Sequence, residues 1–178
     1  MVTKRQLDEF CKLARQLWAA DAKIVSPKDV PTAEWVRLKC QYGCSEYGLH
    51  LTCPPYSPPP STTRKMLDEY QYAVLIRGER TRPVREIGAE LELKVFLAGY
   101  YKAFALLCGP CSICATCGAA ADGADLRRAS CQHPEKARPA MEAAGIDVFA
   151  TARAAGFPIE VVTSATCEQN YYALVLVE

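Results

Sequence analysis

Eight of the ten cysteines in this chain of 178 residues fall into two groups whose spacing is typical of metal or iron–sulfur ligation. The first group has the pattern Cys-x3-Cys-x8-Cys-Pro-Pro, and its members are Cys40, Cys44 and Cys53. The second group has three successive Cys-x2-Cys steps and a distant Cys-x-His-Pro, and its members are Cys108, Cys111, Cys114, Cys117 and Cys131. A buried cysteine often serves only as a small apolar side chain. That explanation suits Cys11 and Cys167, but it does not suit four cysteines within ten residues of a glycine-rich loop.

The second group requires a chain that wraps around its ligand. A helix over residues 108–117 would separate the outer two cysteines by roughly 13.5 Å, at about 1.5 Å per residue. Sulfurs that bind one zinc at about 2.3 Å lie no more than roughly 4–5 Å apart. A Cys-x2-Cys-x2-Cys loop with one remote thiolate is how bacterial ferredoxins hold a [4Fe–4S] cluster. Cys131 is the favoured fourth ligand, and Cys108 is the second choice.

Two alternatives stand beside the cluster interpretation. The first is a structural zinc site, whose ligands would be Cys114, Cys117, Cys131 and His133. Its donor types suit zinc, but the Cys-x-His spacing is tighter than in zinc fingers and ribbons. The second is a thioredoxin-like dithiol, since residues 108–111 read Cys-Gly-Pro-Cys. A thioredoxin site follows a strand and opens a helix, whereas the sequence here predicts a preceding helix.

The first group offers only three local thiolates. A four-iron cluster that is held by three cysteines leaves one iron with an exchangeable position, which can take substrate as an open catalytic zinc site does. His50, in the loop between Cys44 and Cys53, and Cys108 are the candidates to close this position instead. We therefore expect the first group to be the functional site.

Composition and charge narrow the class of protein. The chain carries 21 Lys and Arg against 20 Asp and Glu, a formal net charge of +1, so no basic surface for nucleic acid is expected. The N-terminal segment lacks the apolar stretch of a signal peptide. The longest apolar run, residues 171–177, is far below the roughly 20 residues of a membrane span. We expect a cytoplasmic protein with reduced thiols, no membrane partner, and either a redox partner protein or a small-molecule substrate.

The elements that must position these cysteines predict an α/β or α+β fold. Hydrophobic periodicity and capping signals predict helices over residues 4–20, 62–69, 84–107, 136–144 and 147–156. The β-rich segments predict strands over residues 33–39, 72–77, 159–163 and 171–177. We expect one domain over residues 1–178, with helices on one face of a small mixed sheet and a cysteine-rich cluster-binding insertion at about 108–135.

Both cysteine groups together give the chain a resemblance to a prokaryotic family described as predicted metal-binding proteins, a domain of unknown function. The segments that carry the resemblance are 36–44, 52–58, 109–117, 131–134 and 137–148. The resemblance implies metal or cluster binding and supplies no reaction. In the family's pattern the second group begins at Gly-Pro-Cys, so the implied ligands are Cys111, Cys114, Cys117 and Cys131, and Cys108 lies outside the pattern.

These observations predict an iron–sulfur protein with two [4Fe–4S]-type sites. The second group would bind a closed cluster suited to electron transfer, and the first a cluster with one iron open to small-molecule chemistry. A structural zinc protein or an interaction module is the alternative. The sequence contains neither an evident nucleophile and base pair nor a glycine-rich phosphate loop, so whether the protein is an enzyme stays open.

Overall fold

The computed structural model describes residues 2–118, 131–164 and 166–178. Within these ranges the helices are α1 (Lys4–Gln16), α2 (Glu34–Gly43), α3 (Pro60–Leu67), α4 (Thr81–Leu97) and α5 (Val148–Ala154). The strands are β1 (Asp21–Val25), β2 (Ala73–Gly78), β3 (Phe104–Leu106) and β4 (Tyr171–Leu176). The predicted fold class, α/β or α+β, is confirmed, and the single-domain assignment stays a prediction. None of the helices in the described ranges is long and apolar enough to span a membrane.

The four strands form one sheet in the order β1-β2-β4-β3, and every pairing is antiparallel. The prediction of a mixed sheet is therefore wrong. The connection from β2 through α4 to β3 does make two parallel strands, as a strand–helix–strand sequence pattern suggests. However, β4 from the end of the chain inserts between them and pairs with both.

Helices cover both faces of the sheet, whereas the sequence predicted helices on one face. Side chains alternate between the faces of a strand, and β2 shows the result. Ile76 belongs to a core that includes residues of α1 and α4, and the adjacent Leu75 belongs to a second core that includes residues of α3 and α5. Both side chains are fully buried. This double burial explains why β2 and β4 read as continuous apolar runs.

Helices α1 and α5 lie where the sequence predicted them. In α5 the Asp147 side chain accepts a hydrogen bond from the Ala150 N–H at 3.0 Å, as a capping residue does, and Gly156 follows the helix with a φ of 67°. In α1 the predicted core face is correct except at its end. Trp18 lies beyond the helix with a φ of 74° and is 91% exposed, because the chain turns away from the core there.

The segment predicted as a strand over residues 33–39 is wrong, because α2 occupies it. The extended backbone stops at Ala33, whose N–H donates to the Gly145 carbonyl at 2.8 Å. The helix then starts at Glu34, whose carboxylate suits the positive end of a helix dipole. The next four residues find no neighbouring strand, so their β-rich character does not decide the conformation.

Helices α3 and α4 differ from the prediction at their ends. The helix predicted over residues 62–69 begins two residues earlier, since α3 starts at Pro60 without a side-chain cap, and proline suits the first helical turn. The predicted helix over 84–107 ends ten residues early, at Leu97. Gly99 then adopts a φ of 101°, which closes the helix and directs the chain into β3.

Two further predicted elements are wrong. Residues 136–144 form turns instead of a helix, because their backbone pairs with the chain beyond β3. The Leu107 N–H donates to the Pro139 carbonyl at 2.7 Å, and the Met141 N–H donates to the Leu107 carbonyl at 2.8 Å. Residues 159–163 form no strand, and Val161 there is 65% exposed without a neighbouring strand to pair with.

Candidate metal sites

The first cysteine group is organised by the end of α2. Cys40 lies in the last turn, and Cys44 is the residue at which the helix ends, with its N–H bonded to the Cys40 carbonyl at 3.2 Å. Residues four apart share one side of a helix, so the two thiols are neighbours. Cys53 comes from the following loop and is only 7% exposed. We call these three cysteines the helix site.

Between Cys44 and Cys53 the loop folds back on itself through a series of short turns. Gly48 takes a φ of 77° and donates its N–H to the Pro54 carbonyl at 2.9 Å. The Cys53 N–H donates to the His50 carbonyl at 2.9 Å, and the Cys53 carbonyl accepts from Ser57 at 3.0 Å. The left-handed conformation at position 48 favours glycine, so the loop depends on that residue.

Arg37 connects the helix site to the rest of the protein. Its Nη1 atom lies 3.0–3.1 Å from the Ser57 carbonyl and hydroxyl oxygens and from the carbonyl oxygens of Pro58 and Ala143. The buried Ser57 hydroxyl also donates to the Ala143 carbonyl at 2.6 Å. These bonds join α2, the cysteine loop and the turn over residues 141–145. Sequence reasoning did not single out Arg37, because only the folded chain shows which carbonyls it reaches.

The helix site opens into a cavity of about 470 Å³, a volume in the range of small-molecule sites. Besides the three cysteines, its lining includes Cys108, Glu142, Trp35, Phe149, Ile159 and Tyr171. Most of this lining is apolar. The three thiols therefore stand at the edge of a space that a small molecule can enter.

Burial favours the protonated thiol at two cysteines of the helix site, Cys53 and Cys40. It raises the pKa of Cys53 to about 11, and it raises the pKa of Cys40 together with the neighbouring Cys44 and Glu142. A thiolate, not a thiol, is the metal ligand. Binding of a metal at these residues therefore releases protons, and affinity rises with pH.

Glu142 brings a carboxylate to the same cavity. Its Oε2 atom is buried and has no hydrogen-bond partner among the described residues. Burial raises the pKa of this carboxyl group, and the nearby Arg85 guanidinium opposes the rise. Sequence reasoning named Glu142 only as part of the family motif and missed it as a site residue. The signal available was a single acidic residue within the apolar run from Met141 to Ala144.

The first three cysteines of the second group, from Cys111 on, lie on chain without regular structure over residues 111–117, as predicted for a wrapped loop. Cys111, Cys114, Cys117 and Cys131 are all half-buried. The pKa of Cys114 is raised by partial loss of water and by the other three thiols, so the four cysteines lie close enough to interact electrostatically. We call these four cysteines the loop site.

The loop-site cysteines border a small cavity of about 20 Å³. Residues that share its lining are His50, Leu51, Thr52, Ile113, His133 and Ala137. The His133 backbone N–H donates to Cys131 Sγ at 3.4 Å, an interaction that supports a thiolate ligand. The His133 ring is 41% exposed, and its Nδ1 atom lies 3.8 Å from a carboxylate oxygen of Glu135.

The two secondary candidates from the sequence occupy different places. His50 borders the loop-site cavity and not that of the helix site, and its role as a ligand that closes the helix site stays a prediction. Its Nε2 atom lies 2.8 Å from Glu46 Oε2, and its Nδ1 atom is buried without a partner. Cys108 borders the helix-site cavity, is 2% exposed, and its thiol donates to the Thr81 carbonyl at 3.4 Å. Burial raises the Cys108 pKa to about 12.

The structure removes one objection to a thioredoxin-like dithiol at residues 108–111, but a second objection stands. Strand β3 precedes the segment, as in a thioredoxin site, where a helix was expected. A thioredoxin site also requires a helix that begins at the dithiol. Here residues 111–117 are not helical. Cys108 and Cys111 also border different cavities. This geometry favours separate roles for the two thiols.

The two sites are neighbours along the chain at two points. Cys53 borders the helix-site cavity, while residues 50–52 border the loop-site cavity. Pro110 borders the first cavity, and Cys111 borders the second. Consecutive Cα atoms are about 3.8 Å apart, so the two sites adjoin.

All ten cysteines carry free thiols, and two of them, Cys11 and Cys167, border neither the helix-site nor the loop-site cavity. Cys11 is 5% exposed within the core of α1 and α4, as predicted. The prediction that Cys167 is a core thiol is wrong, because it is half-exposed and contacts the hydroxyls of Ser164 at 3.3 Å and Thr163 at 3.4 Å. These hydroxyls, Ser164 first, lower its pKa to about 6.

Across residues 2–118, 131–164 and 166–178, no three or more His, Cys, Asp and Glu side chains stand in metal-binding geometry. The thiols of each site nevertheless border one common cavity. Their chemistry still fits a thiophilic metal, since thiolates select zinc, copper(I) or iron–sulfur clusters. Three buried side-chain atoms of the described residues lack a hydrogen-bond partner, and two of them, Glu142 Oε2 and His50 Nδ1, belong to residues that each border one of the two sites.

The fold and the two thiol groups define an α+β protein whose cysteine-rich segments have metal-ligand chemistry. The sequence model of the family described as "Predicted metal-binding protein (DUF2284)" matches residues 23–177, which include both sites. The chain therefore belongs to this family, and the resemblance based on the cysteine motifs is confirmed. No curated protein and no solved structure matches the chain.

Proposed function

We propose that this protein binds two iron–sulfur clusters and serves electron transfer. Cys111, Cys114, Cys117 and Cys131 would hold a four-thiolate [4Fe–4S] cluster at the loop site. The three cysteines of the helix site would hold a second [4Fe–4S] cluster with one iron open to the cavity. Once bound, such clusters supply one-electron chemistry.

The observation that carries the proposal is the loop site itself. Three cysteines at Cys-x2-Cys spacing lie on non-helical chain, and a fourth from a remote segment interacts electrostatically with them. This is the ligand arrangement of a ferredoxin cluster. The zinc alternative leaves Cys111 out, although Cys111 borders the same cavity as the four residues it would use.

The helix site supports a second role, toward a small molecule. Its three thiols border a largely apolar cavity of about 470 Å³, which can exclude water from a bound substrate. The neighbouring loop site suits a cluster that exchanges electrons with it, since the two sites adjoin at residues 52–53 and 110–111. The partners we propose are a redox protein at the loop site and a small-molecule substrate at the helix site.

Metal analysis of protein prepared without oxygen tests the proposal. After reconstitution with iron and sulfide we expect a brown protein with about eight iron atoms and a matching amount of acid-labile sulfide per chain. The Cys11→Ala variant is the control and should keep this content, because Cys11 belongs to the apolar core. A colourless protein with stoichiometric zinc and no iron after reconstitution would contradict the proposal.

A further inference from the structure

We propose that the Glu142 carboxylate is the fourth protein donor of the helix site and holds the position that its three cysteines leave open. The inference rests on the proposed function, because it takes the helix site to bind an iron–sulfur cluster. It concerns a residue that no cysteine motif identifies.

The first argument is that the Glu142 carboxylate is buried with one oxygen unpartnered. Glu142 borders the same cavity as the three cysteines, and its Oε2 atom is buried without a hydrogen-bond partner in the described part of the chain. A buried carboxylate oxygen is costly unless a hydrogen bond or a cation compensates for the lost water. Arg85 does not supply that partner, since its recorded hydrogen bonds go to the carbonyls of Cys108, Gly109 and Arg138. A metal at the helix site would supply it.

The second argument is how firmly the chain presents Glu142. The residue before it, Met141, is fully buried, and the carbonyl of the residue after it accepts hydrogen bonds from Arg37 and Ser57. Gly145 closes the turn with a φ of 79°, where a Cβ would lie 2.3 Å from Pro60. The bonds that fix α2 and the cysteine loop thus also fix the turn that carries Glu142.

The other candidates for the fourth position are engaged elsewhere. His50 borders the loop-site cavity and is paired with Glu46 at 2.8 Å. Cys108 borders the helix-site cavity, but its thiol donates to the Thr81 carbonyl. The unpartnered Nδ1 atom of His50 therefore belongs to a ring beside the loop site, and the Cys108 thiol already has a hydrogen-bond partner.

The remaining acidic residues of the cavity lining have other surroundings. Glu46 Oε2 lies 2.8 Å from His50 Nε2, and Asp147 caps α5 with its carboxylate. Glu168 is 76% exposed and lies 4.0 Å from Arg77, and Glu160 is exposed to water. Among the acidic side chains that line this cavity, Glu142 is the one with an unpartnered buried oxygen.

A carboxylate in this position predicts a site that is closed but can be opened. Oxygen is a harder donor than sulfur and binds less firmly at a metal otherwise held by thiolates. A molecule that enters the cavity can replace it by ligand exchange. One metal–oxygen bond breaks, one bond to the incoming ligand forms, and no electron is transferred. Glu142 would thereby keep the open iron from being lost while no substrate is present.

The experiment compares reconstituted wild-type protein with Glu142→Gln and Glu142→Cys, and Glu160→Gln is the matched control in the same cavity. The readouts are iron content, the paramagnetic resonance spectrum and its response to cyanide. We expect Glu142→Gln to give a three-iron signal on mild oxidation and to bind cyanide at least about tenfold more tightly. Glu142→Cys should keep its iron and respond little to cyanide, and Glu160→Gln should match wild type.

The outcomes separate this inference from the proposed function. Glu142→Gln replaces an unpartnered buried carboxylate with an amide of the same shape, so thermal unfolding should show a folded protein. If its spectra and cyanide response equal those of Glu160→Gln while Cys53→Ala removes iron, the inference is wrong and the function stands. If Cys53→Ala leaves the iron content unchanged, both are wrong.

Discussion

The helix site and the loop site use the same ligand type on two different kinds of scaffold. The helix site stands on α2 and is tied to the neighbouring segments by the bonds of Arg37 and Ser57. At the loop site, no backbone–backbone hydrogen bond joins residues 109–118 to any other described residue. Protein packing thus orders the thiols of the helix site, whereas we expect those of the loop site to depend on a bound ligand for their order.

The difference also fits the two proposed roles. A closed four-thiolate cluster needs only ligands and shielding, which a loop can supply once the cluster is bound. A site that receives a small molecule needs fixed walls beside it. Ordering a flexible pocket when the molecule binds costs free energy, and this cost lowers the affinity. The cavity of about 470 Å³ lies at the site with the fixed scaffold.

The largest expected effect comes from removing a loop-site ligand. Cys131→Ala should contain roughly half of the iron of the reconstituted wild-type protein, because the loop-site cluster is one of two and is lost in this variant. It should also make residues 108–118 more sensitive to protease, because little besides the ligand orders them. Iron analysis and limited proteolysis measure both effects.

Cys167→Ala is the control for that experiment. Cys167 lies outside both cavities, and its thiol contacts the hydroxyls of Thr163 and Ser164, so its loss should leave the iron content unchanged. If Cys167→Ala removed as much iron as Cys131→Ala, the division between ligands and other thiols would be wrong.

A smaller effect is expected from weakening the scaffold of the helix site. Arg37→Ala leaves the carbonyls of Ser57, Pro58 and Ala143 without this donor, which should lower the free energy of unfolding of the metal-free protein by about 2 kcal/mol or more. Iron at the helix site should fall, while the loop site keeps its cluster. Urea unfolding and paramagnetic resonance measure the two results.

Lys39→Ala is the matched control on the same helix. Lys39 is exposed and lies over the Trp35 ring at 5.1 Å, so its loss should change the stability by within about 0.5 kcal/mol. Equal losses of stability in the two variants would show that the hydrogen bonds of Arg37 do not organise the site.

The smallest effect concerns a thiol outside both sites. The pKa of Cys167 is lowered to about 6, so its thiolate dominates above that pH and iodoacetamide should label it readily near neutral pH. Labelling should slow as the pH falls below about 6, because the thiolate becomes protonated. Cys11, whose pKa burial raises to about 11, should react far more slowly. Mass spectrometry of labelled peptides measures both rates.

Two nearby hydroxyl residues test why the pKa of Cys167 is lowered: Ser164 is the variant of interest, and Thr166 is its control. Ser164→Ala removes the largest cause of the lowered pKa and should slow labelling of Cys167 near neutral pH. Thr166→Ala removes a hydroxyl that contacts Ser164 Oγ at 3.0 Å, and it should have the lesser effect. Unchanged labelling in Ser164→Ala would show that the hydroxyl does not stabilise the thiolate.

Local signals predicted the elements that depend on local chemistry. The apolar face of α1, the buried run of β2 and the cap at Asp147 were all visible in the sequence, because periodicity and capping act within a few residues. The grouping of the cysteines was equally visible. The four-residue step from Cys40 to Cys44 also held a signal for α2, since it equals about one helical turn.

The rest depends on contacts between distant segments. The insertion of β4 between β2 and β3 is decided by pairing across about a hundred residues, which no local pattern records. The turns over 136–144 form because Leu107 takes up their backbone hydrogen bonds. Glu142 borders the helix-site cavity on a turn whose next carbonyl, that of Ala143, is bonded to the distant Ser57 and Arg37.

Mössbauer spectroscopy of protein reconstituted with isotopically enriched iron tests the central claim most directly, because it distinguishes iron atoms by their ligands. We predict two [4Fe–4S] clusters. One has four thiolate-bound irons, and the other has a single distinct iron whose Mössbauer signal shifts when cyanide is added. Cys53→Ala should abolish the distinct iron and leave the other cluster intact. A spectrum in which every iron is thiolate-bound and indifferent to cyanide, or a protein that takes up no iron, would contradict the account.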